Sequence, residues 1–180
     1  MGSEKEEVSK ALQEAKEEAR EGSSESAGVV GGKFLSFLLH NEEYGLDVLS
    51  VREIIGIIDI TTVPQMPNYV KGVVNLRGKV IPVIDLRLRF GIPEISYDEE
   101  TCIIVVEVGD MLMGIIIDTV LEVLDITAKD IEPPPSFGTK VKTDFILGMG
   151  KIGKKVKILL DIDKVLTSEE LAMVEKMQKA

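Results

Sequence analysis

The apolar residues of this chain fall in short, β-branched runs, each closed off by Gly, Asn, Asp or Lys. That pattern limits the fold more than any other feature. Runs such as "KVIPVID" (79–85) and "TCIIVVEV" (101–108) are too brief for core helices, and their Val and Ile content suits a pleated, buried surface. Many such runs with turn signals between them predict an all-β sandwich or barrel. Strands are expected at 33–40, 44–55, 72–77, 79–85, 101–108, 111–117, 119–125 and 155–162. The turns between them are "HNEEYG", "NLRGK", "EVGDM" and "GKIGKK". Pro82 cannot donate to a ladder, so its strand should be an edge or carry a bulge. A last helix is expected over 168–178, where Thr167 and Glu170 form a capping-box pattern and Leu171, Val174 and Met177 share a face.

At 180 residues the body suits one domain or two small ones in intimate contact. Aromatics are only 4% and Trp is absent, so Val, Ile and Leu must fill the core. A weak internal repeat favours two related units. "GLDVLSVREII" (45–55) matches "GIIIDTVLEVL" (114–124), and "VIPVIDLRLRF" (80–90) matches "VKILLDIDKVL" (156–166), at offsets of 69 and 76. Each unit is too small for a comfortable core and would share one with the other. Residues 1–32 read differently. Residues 4–20 are helix-prone with a thin stripe of Val8, Leu12, Ala15 and Ala19, and "EGSSESAGVVGG" after them has a linker composition. The expectation is a mobile acidic appendage at 1–32 and a folded body at 33–180.

The net charge of −10 argues against nucleic acid, which selects clustered Lys and Arg. The single cysteine, Cys102, lies inside a strand pattern and reads as a small hydrophobe. No apolar run approaches the roughly 20 residues of a membrane span, and no secretory leader pattern opens the chain. Met1-Gly2 fails the myristoylation pattern at Glu6. The expected compartment is the cytoplasm.

A search for chemistry yields little. "GMGKIG" (148–153) fits the dinucleotide fingerprint by letter, but that motif needs a strand before it and a helix after it, and "KKVKILLDI" reads as a strand. A glycine-rich β turn is the expected structure, with a nucleotide-dependent enzyme as the rival reading. His40 is the only histidine, too little for a nucleophile–base pair or a histidine metal site; it should end the first strand at the surface. Asp161 and Asp163 alternate on one strand face but lack the other oxygens a calcium site needs. Asp85 resembles a helix N-cap. "PPP" (133–135) suits a stiff loop. With no set of catalytic groups, no cofactor and no metal expected, binding of other macromolecules is the remaining class.

The segment "GVVNLRGKVIPVIDLR" (72–87) is the one that asks for a partner. It sets Asn75-Leu76-Arg77-Gly78 between two runs that want burial. Gly78 can take the left-handed conformation of a tight hairpin. Arg77 is then either a solvated or ion-paired turn residue, or a planar fork of donors offered to a partner's carboxylate.

Three stretches, "EEYGLDVLSVREI" (42–54), "VKGVVNLRGKVIPVIDLRLRFG" (70–91) and "LLDIDKVLTSEE" (159–170), closely resemble the CheW family of chemotaxis coupling proteins. The likeness runs from about 33 to 172. It implies two intertwined five-stranded β-barrel subdomains around a shared core. It also implies an adaptor without catalysis, which couples the cytoplasmic tip of methyl-accepting chemotaxis receptors to the regulatory domain of the histidine kinase CheA in extended arrays. Such a protein is cytoplasmic, recruited to membrane receptors without inserting. The family's receptor-contact positions fall on Val51 and Glu53 in "SVREI", Gly72 in "KGV" and Arg77 in "NLRG", with Asn75 and Gly78 supporting the turn. Gly72 would let a partner helix come close, Val51 would add an apolar contact, and Glu53 would orient Arg77 or pair with a base. For Gly72 and Val51, simple packing is the competing explanation. A CheV-type coupler needs a receiver domain and CheA a nucleotide-binding domain; the residues after 166 leave no room for either, so that reading holds only if the chain is a fragment.

Overall fold

Alternation along each run decides which core it fills. In β6 (Cys102–Val108), Cys102, Ile104, Val106 and Val108 join one buried cluster, while Ile103 and Val105 join another. A strand buried on both faces explains why "CIIVVEV" reads as continuous rather than alternating. The computed structural model describes residues 2–21, 31–134 and 144–179. Its strands form two sheets. The first contains β1 (Gly32–Leu39), β2 (Glu42–Asp47), β8 (Thr119–Ile126), β9 (Ile131–Glu132), β10 (Ile146–Ile152) and β11 (Lys155–Leu160), in the order β8-β1-β2-β11-β10-β9. The second has β3 (Val51–Gly56), β4 (Val70–Leu76), β5 (Lys79–Asp85), β6 and β7 (Met111–Ile117), in the order β3-β6-β7-β5-β4.

The internal repeat is real at the level of topology. Under its offsets β3 corresponds to β8, β6 to β1, β7 to β2, β5 to β11 and β4 to β10. The two sheets then have the same five-strand order, with parallel pairing at β5·β7 and β11·β2. Each unit hands its next strand to the other: β2 is followed by β3 in the second sheet, and β7 by β8 in the first. Each sheet curls around a small cluster of its own, Val74, Ile81, Val83, Ile103, Val105 and Ile116 in one, Phe34, Ile126 and Leu159 in the other. The large cluster between them draws Leu35, Phe37 and Leu46 from one sheet and Ile84, Ile104 and Ile115 from the other.

The single strand expected at 44–55 is in fact two. Asp47 breaks it: its carboxylate accepts the amide of Leu49 at 2.9 Å, and its carbonyl accepts the Ser50 hydroxyl at 2.8 Å. A short 3₁₀ turn at Val48–Ser50 results, and the chain changes sheets there. "GMGKIG" is also corrected. Gly148 and Gly150 lie within β10 and only Gly153, at φ +60°, is in the turn. A Cβ on Gly148 would lie 2.7 Å from Ile131 Cγ2, so close approach of β9 explains the glycine. Strand β11 follows where the dinucleotide motif needs a helix. Asp161 and Asp163 do not share a strand; Asp161 caps a short turn by accepting the amide of Asp163.

Neither sheet closes through a continuous ladder. In the second, the segment that follows edge strand β3 meets the other edge, β4, in one bridge, Thr61 to Val73, with N···O distances of 2.8 and 2.9 Å. Strand β9 on β10 is its counterpart in the first sheet, which is why that sheet has a sixth strand. β5 is an interior strand, not an edge. Pro82 is accommodated because the ladder to β7 begins one residue later, at Val83.

Helix α2 (Leu86–Arg89) starts where Asp85 accepts the amides of Arg87 and Leu88. α3 (Ser168–Lys179) has the capping box: Glu170 accepts the Thr167 amide at 2.8 Å and Thr167 Oγ1 accepts that of Glu170 at 3.1 Å. His40 is exposed at the end of β1, and Cys102 is buried, which pushes its thiol up to about 11. The N-terminal segment departs from expectation. It forms α1 (Gly2–Glu21) and packs on the body, with Leu12 and Ala15 buried. Of the expected linker at 21–32, residues 22–30 lie outside the described residues, as does Pro135.

Candidate functional site

The β4–β5 hairpin has a two-residue turn in which both residues have positive φ, Arg77 at +52° and Gly78 at +88°. This is the type I′ geometry whose twist matches the flanking strands. Asn75 stabilises it by accepting the Gly78 amide at 2.8 Å. A glycine is at home there, but an arginine is not, because its Cβ crowds the following carbonyl. The cost is about 1 kcal/mol. In the equivalent β10–β11 turn the same position is Gly153.

The side chain of Arg77 is 69% exposed and donates from Nη2 to Glu53 Oε1 at 2.7 Å. Glu53 sits on β3, the opposite edge of the sheet, so the pair spans the gap between the two edge strands. An exposed pair of this kind adds roughly 0–1 kcal/mol. Stability therefore does not account for an arginine in a strained position. The pair does hold the guanidinium fork in one orientation, with donors left over. Next to it, Arg52 pairs with Glu107 at 2.8 Å and Val80 is exposed, giving a rigid surface of charges and one apolar side chain.

Arg77, Glu53, Asn75 and Gly78 are thus brought together. Gly72 and Val51 are not part of that surface. Gly72 is buried at φ +143°, and a Cβ there would lie 2.0 Å from the Thr61 carbonyl oxygen. Its missing side chain makes room for the edge-closing bridge, not for an approaching helix. Val51 is 1% exposed and belongs to the shared core. For both, packing is the explanation.

Two polar networks escaped sequence reasoning. Arg87 pairs with Asp118 through Nε and Nη2, each at 2.7 Å, and donates to the Pro93 carbonyl at 3.0 Å. Asp118 also accepts the His40 amide at 2.9 Å, and Tyr97 donates to Asp85 at 2.8 Å. Desolvation and the Asp85 charge push the Tyr97 hydroxyl well above its usual range. Asp118 sits between β7 and β8, so this cluster braces a crossover between sheets. The second network docks α3: Tyr69 donates to Glu170, and Arg89 bonds Glu170 at 3.1 Å and the Val165 carbonyl at 3.0 Å. Burial and the Glu170 carboxylate push the Tyr69 hydroxyl up to about 12. Among the described residues no cluster of His, Cys, Asp and Glu could hold a metal ion, and no helix is long and apolar enough to cross a membrane.

Comparison with known proteins agrees with this architecture. Residues 33–170 match the family model described as the CheW-like domain. "Chemotaxis protein CheW" of Klebsiella aerogenes is 45% identical over 151 residues, covering 84% of this chain and 91% of that one. The protein of the same name from Helicobacter pylori is 34% identical over 160 residues, covering 89% and 96%. The crystal structure of the scaffolding protein TtCheW from Thermoanaerobacter tengcongensis superposes with a TM-score of 0.70 at 38% identity, over 77% of this chain and 94% of that one. With residues 33–170 matched by the family model and relatives 45% and 34% identical over most of both chains, the chain belongs to the CheW-like family.

Proposed function

We propose that this chain is a chemotaxis adaptor that couples the cytoplasmic tip of methyl-accepting receptors to the regulatory domain of the histidine kinase CheA. It works in the cytoplasm and makes or breaks no covalent bond. The observation that carries this reading is Arg77, kept in a left-handed turn position that a glycine fills in the other half, and aimed by Glu53 at the surface. Strain retained without a stability benefit marks a residue kept for contact with something else. The names of its relatives, a chemotaxis protein and a scaffolding protein, support the same role.

Receptor contact then centres on Arg77, with Glu53 as its positioning residue and the Asn75-Gly78 turn as its mount. Arginine's fork suits a carboxylate on the receptor. Two modest interfaces on one rigid body serve an adaptor, because an array multiplies weak contacts into a stable assembly. The test is reconstitution of a ternary complex with a soluble receptor signalling fragment and CheA. Arg77→Ala should weaken receptor capture about thirtyfold, the loss of a hot spot of roughly 2 kcal/mol, while CheA capture is kept. Unchanged receptor capture would remove Arg77 from the interface.

A further inference from the structure

Helix α1 lies outside the matched family region of 33–170 and yet is seated on the body. It rests on β1 and β8 of the first sheet, on β3 of the second and on the Val48–Ser50 turn that joins them, so it lies across the cleft where the two sheets meet. Its stripe is narrow. Leu12 is fully buried and Ala15 nearly so, with Val8 and Ala19 partly covered. This is a small apolar footprint for a helix of 20 residues.

The polar contacts are of two kinds. At the ends they favour docking: Lys5 Nζ donates to the carbonyls of Glu99 at 2.9 Å and Thr101 at 3.3 Å, and Glu18 pairs with Lys33 at 2.9 Å. In the middle they oppose it. Lys16 is buried by docking, at 7% exposure, facing the cations Arg20 and Arg52 as well as the carboxylates Glu107 and Glu53. Burial first, then the two arginines, lowers its pKa. A lysine removed from water and brought up to Arg52 loosens the seat, whereas Arg20 lies on α1 itself and stays beside it either way. α1 is thus well shaped for the cleft and weakly held in it. The cleft also adjoins the candidate site, since β3 carries Glu53, the partner of Arg77, within electrostatic range of Lys16.

We propose that α1 is a built-in competitor for an amphipathic helix of the receptor, and that α1 docking and receptor docking in the cleft between the sheets exclude each other. The proposal rests on the receptor-binding reading above and adds a regulator to it. The chain itself shows what the cleft accepts: a helix with one bulky apolar residue flanked by small ones, and charges along its margins. Joined to β1 through residues 22–31, α1 stays close after displacement. A short tether holds a competitor near millimolar effective concentration. The apparent affinity for the receptor falls by the fraction of molecules with an open cleft, so a helix docked in nine of ten molecules lowers it about tenfold.

The test uses the full chain and a soluble receptor signalling fragment, with binding followed by titration. Leu12→Asp, which cannot seat in the apolar cleft, should tighten binding about tenfold. The pair Glu18→Cys and Lys33→Cys, joined by a short bis-maleimide, should pin α1 and abolish binding. Amide hydrogen exchange on the unmodified protein should show α1 losing protection when the fragment is added. That readout stands even if Leu12→Asp compromises folding. Binding of the wild type that neither variant alters, with α1 still protected in the complex, overturns the competitor while leaving the receptor reading in place. A fragment that ignores both the wild type and Leu12→Asp overturns both.

Discussion

Arg77 and Gly153 occupy the same first position of two equivalent hairpin turns, at φ +52° and +60°. One half of the molecule meets the geometry with glycine, the other with an exposed arginine fork. The second turn position differs too, Gly78 at +88° against Lys154, so the turns are of the I′ and II′ kinds respectively.

Arg77→Asn should therefore separate stability from binding. Asparagine tolerates positive φ and Asn-Gly favours the I′ turn. Relief of about 1 kcal/mol, less what the exposed Glu53 pair adds, predicts a melting temperature unchanged or up to about 3 °C higher. Receptor binding should fall as far as in Arg77→Ala. Thermal unfolding and titration with the receptor fragment on the same preparation check both halves. A variant clearly less stable than wild type would show that Arg77 is there for the fold.

Gly72→Ala should damage the fold before it touches any interface. The new Cβ would overlap the Thr61 carbonyl at 2.0 Å and force a left-handed residue besides. A loss of about 3 kcal/mol or more is expected in urea denaturation, the range of strain and backbone clash combined. Gly78→Ala meets no atom within 4 Å and should lose only the smaller cost of its φ.

Removing Arg87 should be worse than removing any surface ion pair. Arg87→Met leaves the partly buried Asp118 carboxylate with the His40 amide as its remaining hydrogen bond here. Breaking such a pair costs about 3–5 kcal/mol. Arg52→Met, which breaks an exposed pair with Glu107, should cost under about 1 kcal/mol. Equal losses in the two variants would contradict the bracing role of Arg87.

Docking of α3 should fail in acid. Burial raises the Glu170 pKa, but hydrogen bonds from Tyr69 and Thr167 and the Arg89 charge outweigh it and leave the carboxyl more acidic than usual. Its stabilisation is complete above the unfolded value of about 4.3. It fades as pH drops through the lower folded value. Hydrogen exchange across 168–179 should accelerate below about pH 4, and Glu170→Gln should flatten that dependence.

Strand positions were legible because Val and Ile mark them strongly, and the capping box at Thr167 and the cap at Asp85 are local chemistry. β10 was missed because its glycines answer to β9, a neighbour that no local window contains. The break at Asp47 was missed because alternation runs on through it, and only an Asx-type bond reverses the chain. Arg77 could be singled out, since an arginine between two buried runs is visible in one dimension. The true roles of Gly72 and Val51 could not, because both depend on contacts with distant strands. The seat of α1 was hidden for the same reason: a thin stripe gives no sign of whether a matching cleft exists.

The hand-over of β3 and β8 between the halves governs the order in which a nascent chain can mature. All strands of the second sheet have been synthesised once residue 117 has been added, whereas the first still lacks β8, β9, β10 and β11. Until then β1 and β2 can pair only with each other, and a lone hairpin is marginal in water. β1 and β2, made before every other described strand, are thus among the last to find their partners.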